Sequence, residues 1–272
     1  MPAAPRLYSA PTMCTLALYF QVFPQYPIVV AANRDEFLAR PSSPPTQLWS
    51  APWVYGGKDL LVGGTWLGIN ESGVVAGILN RQSSGAPDLE RRSRGLLCLD
   101  ALQCPSATTA LQCVMTQSAT QYNPLNLLIA DHTSAYVIST GNGTFFVVHS
   151  LTPGLHLLTN RDPNDADCPR ITYSSHRFLQ VSQDLAAKPT PVANIFARLH
   201  TILSDHEAPR EPYQGLCIHL EEYGTRSSTL LAYAKDEQRY VYHFAPGPPC
   251  RTSYQEVSAP PGTLASHPPS TR

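Results

Sequence analysis

The stretch Met13–Glu36, MCTLALYFQVFPQYPIVVAANRDE, constrains the fold more than any other. Two apolar runs, Thr15 to Phe20 and Ile28 to Ala32, flank a turn marked by Pro24 and Pro27, which predicts a β-hairpin. The second run reads as a central strand, and it ends on four polar residues, Asn33-Arg34-Asp35-Glu36. Charged side chains leaving a buried strand must be paired, solvated or placed in a site. On the residues alone two readings stay open: a functional site, or an ion-pair knot tying the hairpin to the loop at Arg40.

A hairpin of this kind needs a sheet and a core around it. The chain has 272 residues, 43% of them hydrophobic, enough for one large domain. Residues 13–245 are assigned to it, with 1–12 as a disordered extension and the Pro- and Ser-rich 246–272 as a disordered tail. Nineteen basic and twenty acidic residues leave a net charge of -1, with no Lys/Arg block. That argues against a nucleic-acid or anionic-lipid surface and favours small neutral or mixed-charge ligands. Cys14, Cys98, Cys104, Cys113, Cys168, Cys217 and Cys250 are scattered, and neither they nor the nine histidines show ligand spacing, so no metal is expected. The same pattern suits a reduced, intracellular chain, and no run approaches the roughly 20 apolar residues of a membrane span.

Along the chain, residues 41–58, with PSSPP and an exposed-looking Trp53, read as a long surface loop. Thr65 to Ile69 and Val74 to Leu79 read as strands joined by the turn Asn70-Glu71-Ser72-Gly73. Gly95 to Ala101 and Ser106 to Gln117 read as helices, Ser106 being a candidate N-cap. Leu125 to Ala130, Ala135 to Ser139 and Thr144 to Val148 form a predicted β-meander, followed by a strand at Leu155 to Thr159. Tyr173 to Leu185 and Val192 to Leu203 make a second helical pair. Thr229 to Tyr233 and Tyr240 to Phe244 close the domain as a hairpin, behind the polar run Tyr223 to Ser228. Strand blocks alternating with helical pairs suggest an α+β protein of two stacked sheets, each covered outside by helices. Three apolar runs end on Asn33, Asn80 and Asn160, uncharged groups that both donate and accept.

The motifs MC-TLAL, ANRDEF, GGTWLG, LLTN at Leu157 to Asn160 and YGTRSST at Tyr223 to Thr229 together resemble the NRDE family, in order over Met13 to Phe244. That family in turn resembles the N-terminal-nucleophile hydrolases of cholylglycine hydrolase type, which implies a four-layer αββα fold. The resemblance implies Cys14 as nucleophile, Asp35 as the acid orienting its amine, Asn80 and Asn160 as oxyanion donors, and Arg226 near the thiolate. Asn33, Arg34 and Trp66 are the expected substrate contacts. One departure stands out: the arginine those enzymes carry three residues before the aspartate is Ala32 here, with Arg34 beside Asp35 instead.

The chemistry explains why such residues would be gathered. A thiol titrates near about 8.5 and an α-amino group near about 7.7–8.0, so an N-terminal cysteine carries its own base. Arginine stabilises the thiolate and carboxamide N–H groups stabilise the oxyanion. Cys14 follows thirteen residues, so this base exists only if the chain starts at, or is trimmed after, Met13. The expected function is hydrolysis of a small-molecule amide C–N bond without a cofactor. The alternative is a carrier or trafficking protein for an apolar ligand such as haem or lipid, in Golgi or secretory organisation, with Cys14 or His156 as an axial ligand. The resemblance implies a cytoplasmic location, with Golgi or mitochondrial association.

Overall fold

In the computed structural model, residues 13–83, 85–141, 143–207 and 210–258 are described. The expected extension 1–12 and the last part of the tail lie outside them. The leading hairpin is present as β1 (Thr15–Phe23) and β2 (Tyr26–Phe37), paired antiparallel with Thr15 opposite Asn33. Strand β2 runs further than its apolar core, because the polar run predicted as a lead-in is itself strand, β11 (Tyr223–Ala234), and pairs with it. Thr225 stands opposite Asp35, Ser227 opposite Arg34 and Ser228 opposite Asn33, with a bulge at Arg226. The polar quartet therefore lies inside a central strand. Period-two alternation sends Asn33 and Asp35 to one face and Arg34 and Glu36 to the other.

With β10 (Gly154–Leu158), β12 (Arg239–Ala245) and β13 (Gln255–Glu256), these strands make a six-stranded sheet in the order β10-β1-β2-β11-β12-β13. The other sheet has seven strands in sequence order: β3 (Ser42–Ser50), β4 (Trp53–Asp59), β5 (Leu67–Asn70), β6 (Val75–Asn80), β7 (Leu125–Ala130), β8 (Ala135–Gly141) and β9 (Phe145–Ser150). Leu16, Leu18, Ile28, Val30, Leu128 and Leu231 belong to the core between the two sheets. Helices α1 (Arg94–Leu102) and α2 (Ala107–Met115) cover the outer face of the seven-stranded sheet, burying Leu97, Ala101 and Val114 there. Helices α3 (Pro169–Leu185) and α4 (Val192–Leu203) cover the six-stranded sheet through Phe178, Ile195 and Leu199. The result is the expected four-layer αββα sandwich. Among the described residues no helix is long and apolar enough to cross a membrane.

Several local expectations change. Residues 41–58 form β3 and β4 instead of a loop, because a sheet edge tolerates proline: Pro44 and Pro45 fall where the pairing shifts between Ser43 and Thr46. Trp53 is half-buried and stacks on Tyr55 with ring centroids 5.8 Å apart. Helix α3 starts at Pro169, not Tyr173, since proline at the first helical position has no N–H to lose. The tail does not leave the domain at Pro246: Gln255 and Glu256 pair with β12, and the Tyr254 hydroxyl meets Ser228 Oγ at 2.5 Å. Ser106 caps α2 as expected, accepting from the Thr109 N–H at 3.1 Å. The Asn70 turn is also present, with Gly73 at φ +82°. Asn70 Nδ2 reaches across to the last carbonyls of α1 and beyond, Leu102 and Cys104, both at 2.8 Å.

Candidate active site

Cys14 directly precedes β1, and the register of its neighbours locates it. Leu16 pairs with Leu158 on one side and Thr15 with Asn33 on the other. Extending both ladders sets Cys14 between Asn160 and Arg34, and alternation puts all three on the Leu16 face, between the sheets. A cavity of about 30 Å³ opens there, walled by Cys14, Ala32, Arg34, Trp66, Ile78 and Thr229 among others. It admits a water-sized group or the narrow end of a larger ligand.

The half-buried Cys14 thiol donates to the Asp35 carbonyl oxygen at 3.5 Å. Burial and the Asp35 carboxylate push it up to about 12, outweighing the nearby Arg34 guanidinium. Burial thus outweighs the thiolate stabilisation expected from a neighbouring arginine. With residues 1–13 attached, alkylation of Cys14 by iodoacetamide should keep rising with pH beyond 10, since only the thiolate reacts. Peptide-resolved mass spectrometry reads the rate, and a plateau below about pH 9 would contradict the assigned environment.

Asp35 lies on the opposite, helix-facing side of β2 and is almost inaccessible. One of its oxygens accepts from Thr225 Oγ1 at 2.7 Å, the other from Arg170 Nη1 at 2.9 Å. Burial pushes the carboxyl up to about 6, although Arg170 and Thr225 both favour its charged form. Arg170, in the first turn of α3, is completely buried and also donates to the Met13 carbonyl, Thr15 Oγ1 and the Tyr213 carbonyl. It lies outside all of the sequence motifs. The Met13 N–H donates to the Tyr223 hydroxyl at 3.1 Å, and the Met13 carbonyl, part of the peptide bond entering Cys14, accepts from Arg170.

Arg34 is buried against Trp66, its guanidinium carbon 4.5 Å from the ring centroid, and its Nη1 has no hydrogen-bond partner. Alternation makes Ala32 and Arg34 neighbours on one face, so Arg34 can reach the same cavity from one step along the strand. The ion-pair reading of the quartet is also realised: Glu36 lies 3.8 Å from both Arg34 and Arg40, and Arg40 pairs with Asp59 at 2.8 Å. Trp66 lies so close to Gly57 that a Cβ there would come within 2.2 Å of the indole. Gly57→Ala should therefore displace Trp66 and cost about 1–3 kcal/mol, read as a loss of unfolding free energy and a changed indole emission.

The remaining candidates divide. Asn160 is buried and its Oδ1 has no partner, though it does not itself line the cavity. The Asn33 side chain points away to the helix layer, donating to the Leu203 and Leu216 carbonyls at 2.9 and 2.8 Å and accepting from Ser228. It holds α4 on the sheet, and contact with a substrate through its amide is not available. Asn80 stands opposite Leu125, a residue of the outer core, and does not wall the cavity. Arg226 sits in the β11 bulge with Nε buried and unpartnered, and does not line the cavity. His156 has Nε2 2.8 Å from the Thr152 carbonyl oxygen and Nδ1 3.3 Å from Asn164 Nδ2, so both ring nitrogens are engaged.

Comparison with known proteins gives the family and agrees with the fold. The family model described as Transport and Golgi organisation 2 matches residues 13–243. The human Transport and Golgi organization protein 2 homolog is 26% identical, across 82% of this chain and 90% of its own length. Penicillin V acylase from Agrobacterium tumefaciens superimposes with a TM-score of 0.55 at 15% identity, covering 86% of this chain and 83% of its own. The Caenorhabditis elegans ortholog of N-acylethanolamine-hydrolyzing acid amidase gives 0.53 at 15% identity, covering 83% and 95%.

Proposed function

Since the chain belongs to the Transport and Golgi organisation 2 family and shares the fold of penicillin V acylase, we propose that it hydrolyses the amide bond of a small N-acyl compound with Cys14 as nucleophile. The observation that carries this reading is that Cys14 and Arg34 wall one cavity, with Asn160 beside Cys14 when the β1–β10 register is continued by two residues. The acting form is the chain that begins at Cys14. Its α-amine takes the thiol proton, Sγ bonds to the acyl carbon, and the C–N bond breaks as the amine returns that proton to the departing nitrogen. Water then cleaves the thioester in the reverse sense, giving the free acid. Asn160 offers an uncharged N–H to the oxyanion, and the unpartnered Arg34 Nη1 offers a charged donor. Asp35 holds the amine in place, and Arg170 positions Asp35.

The N-acyl class follows from the names of the acylase and amidase relatives together with the apolar wall of Leu67, Ile78 and Leu79. The carrier alternative is less well supported. Of its two axial candidates, His156 has both ring nitrogens engaged, by the Thr152 carbonyl and by Asn164. The test is amide turnover by the chain starting at Cys14, with the Cys14→Ala and Asn160→Ala variants beside it.

A further inference from the structure

Away from the cavity, on the helix side of the six-stranded sheet, four side chains converge that no spacing in the sequence connects. Cys217 and His219 are two residues apart, His206 lies 11 positions before Cys217, and Cys250 lies 33 after it. Their ligand atoms all fall within 4.8 Å of one another. The Cys217 and Cys250 sulfurs are 3.6 Å apart, and His219 Nε2 is 3.7 Å from the first and 3.2 Å from the second. A tetrahedral zinc with bonds of about 2.3 Å to sulfur and about 2.0–2.1 Å to nitrogen sets ligand–ligand edges of about 3.8 Å between sulfurs and about 3.5 Å between sulfur and nitrogen. Three edges of the observed group are thus close to those of a filled site. His206 Nδ1 lies 3.2 Å from the Cys217 carbonyl oxygen. Donating its proton there leaves Nε2 as the lone-pair nitrogen, the arrangement that orients metal-bound imidazoles elsewhere.

We propose that His206, Cys217, His219 and Cys250 form a closed, structural Cys₂His₂ zinc site, contrary to the expectation of no metal. Two thiolates and two imidazoles in tetrahedral array select zinc over the hard cations, and four protein ligands leave no position for substrate. Binding replaces two thiol protons, which leave to solvent, with one Zn²⁺, and involves no oxidant. The site ties the segment after β12, through Cys250, to the stretch between α4 and β11. That stretch supports the candidate active site: Tyr213 accepts from Arg170, Leu216 accepts from Asn33, and the Ile218 N–H donates to Thr225 Oγ1, the partner of Asp35. Zinc would clamp these partners without touching the cavity.

The experiment is elemental analysis of the full chain, purified under reducing conditions without chelator, and of the chelator-stripped chain after incubation with Zn²⁺ and dialysis. About one zinc per chain is expected, absent from Cys217→Ser/Cys250→Ser. Cobalt in its place should give the d–d bands of a tetrahedral ion and thiolate-to-metal charge transfer. If the double variant does not fold, His219→Ala, altered at an exposed ligand, must lose or shift those bands. Less than about 0.1 zinc per chain in both preparations, zinc retained by the double variant, cobalt bands unmoved in His219→Ala, or a reduced preparation lighter by two hydrogens from a Cys217–Cys250 disulfide would each overturn the proposal. None of these readouts depends on hydrolysis, so the zinc site and the proposed activity fail separately.

Discussion

Arg170→Met should lower the free energy of unfolding by about 3–5 kcal/mol, the range seen when one member of a buried ion pair is removed. The cause is the company Arg170 keeps. It is completely buried, and the carboxylate it faces belongs to Asp35, which is nearly as inaccessible. Without the guanidinium, Asp35 either stays charged with only Thr225 as partner or takes up a proton, and three other acceptors, at Met13, Thr15 and Tyr213, lose their donor. Leaving buried polar groups unpaired costs more than the net worth of the bonds they made. The double change Arg170→Met/Asp35→Leu removes both charges and should recover part of the loss, which a single structural arginine with no coupling to Asp35 would not allow. Urea denaturation of the two variants and the wild type measures this. A loss under about 1 kcal/mol for Arg170→Met would show that the pair is solvated and the network does not hold α3 to β1 and β2.

The second large effect concerns the peptide bond before Cys14. A chain beginning at Cys14 should hydrolyse an N-acyl amide, and Cys14→Ala in that chain should lower kcat/KM by at least about 10³-fold, as expected for loss of a nucleophile. The chain that keeps residues 1–13 should be comparably inactive. Its Cys14 nitrogen is an amide without basicity, and its thiol, pushed up to about 12, is almost wholly protonated at neutral pH. Asn160→Ala should cost about 10²–10³ in kcat, the usual size for one oxyanion donor. Steady-state rates on a panel of N-acyl amides measure all four proteins. Equal rates with and without residues 1–13 would separate the activity from the amine.

Much of the architecture was legible because it rests on pattern. The hairpin at β1 and β2, the turn at Asn70, the cap at Ser106 and the two helical pairs are set by periodicity, proline and capping chemistry acting over a few residues. What escaped was decided across the sheet. The polar runs Asn33 to Glu36 and Tyr223 to Ser228 each look like strand ends when read alone, and they are strand because each supplies the other's ladder. Pro44 and Pro45 exclude a central strand but not the edge strand β3, and β3 in turn pairs with the proline-free β4.

The site divides in the same way. Cys14, Arg34 and Trp66 stand out through their motifs and wall one cavity, while Asn160 ends the run that pairs with β1. Asn33, equally prominent in the motif, turns out to hold α4 in place, because the face it occupies is fixed by its parity along β2. Arg170 carries no local signal except Pro169 before it, which marks a helix start and hence a residue in the first turn. The His206, Cys217, His219 and Cys250 group is invisible in one dimension, since its members are gathered by the closing strands.

The most direct measurement of the hydrolase account is acyl trapping. The chain beginning at Cys14 and the chain retaining residues 1–13 are each mixed with an activated N-acyl amide, quenched in acid, digested and mapped by mass spectrometry. The account predicts one acyl group, on Cys14, in the first protein within a turnover time, and none on Cys14 in the second. A folded chain beginning at Cys14 that acquires no acyl group and releases no amine from any amide offered would contradict it.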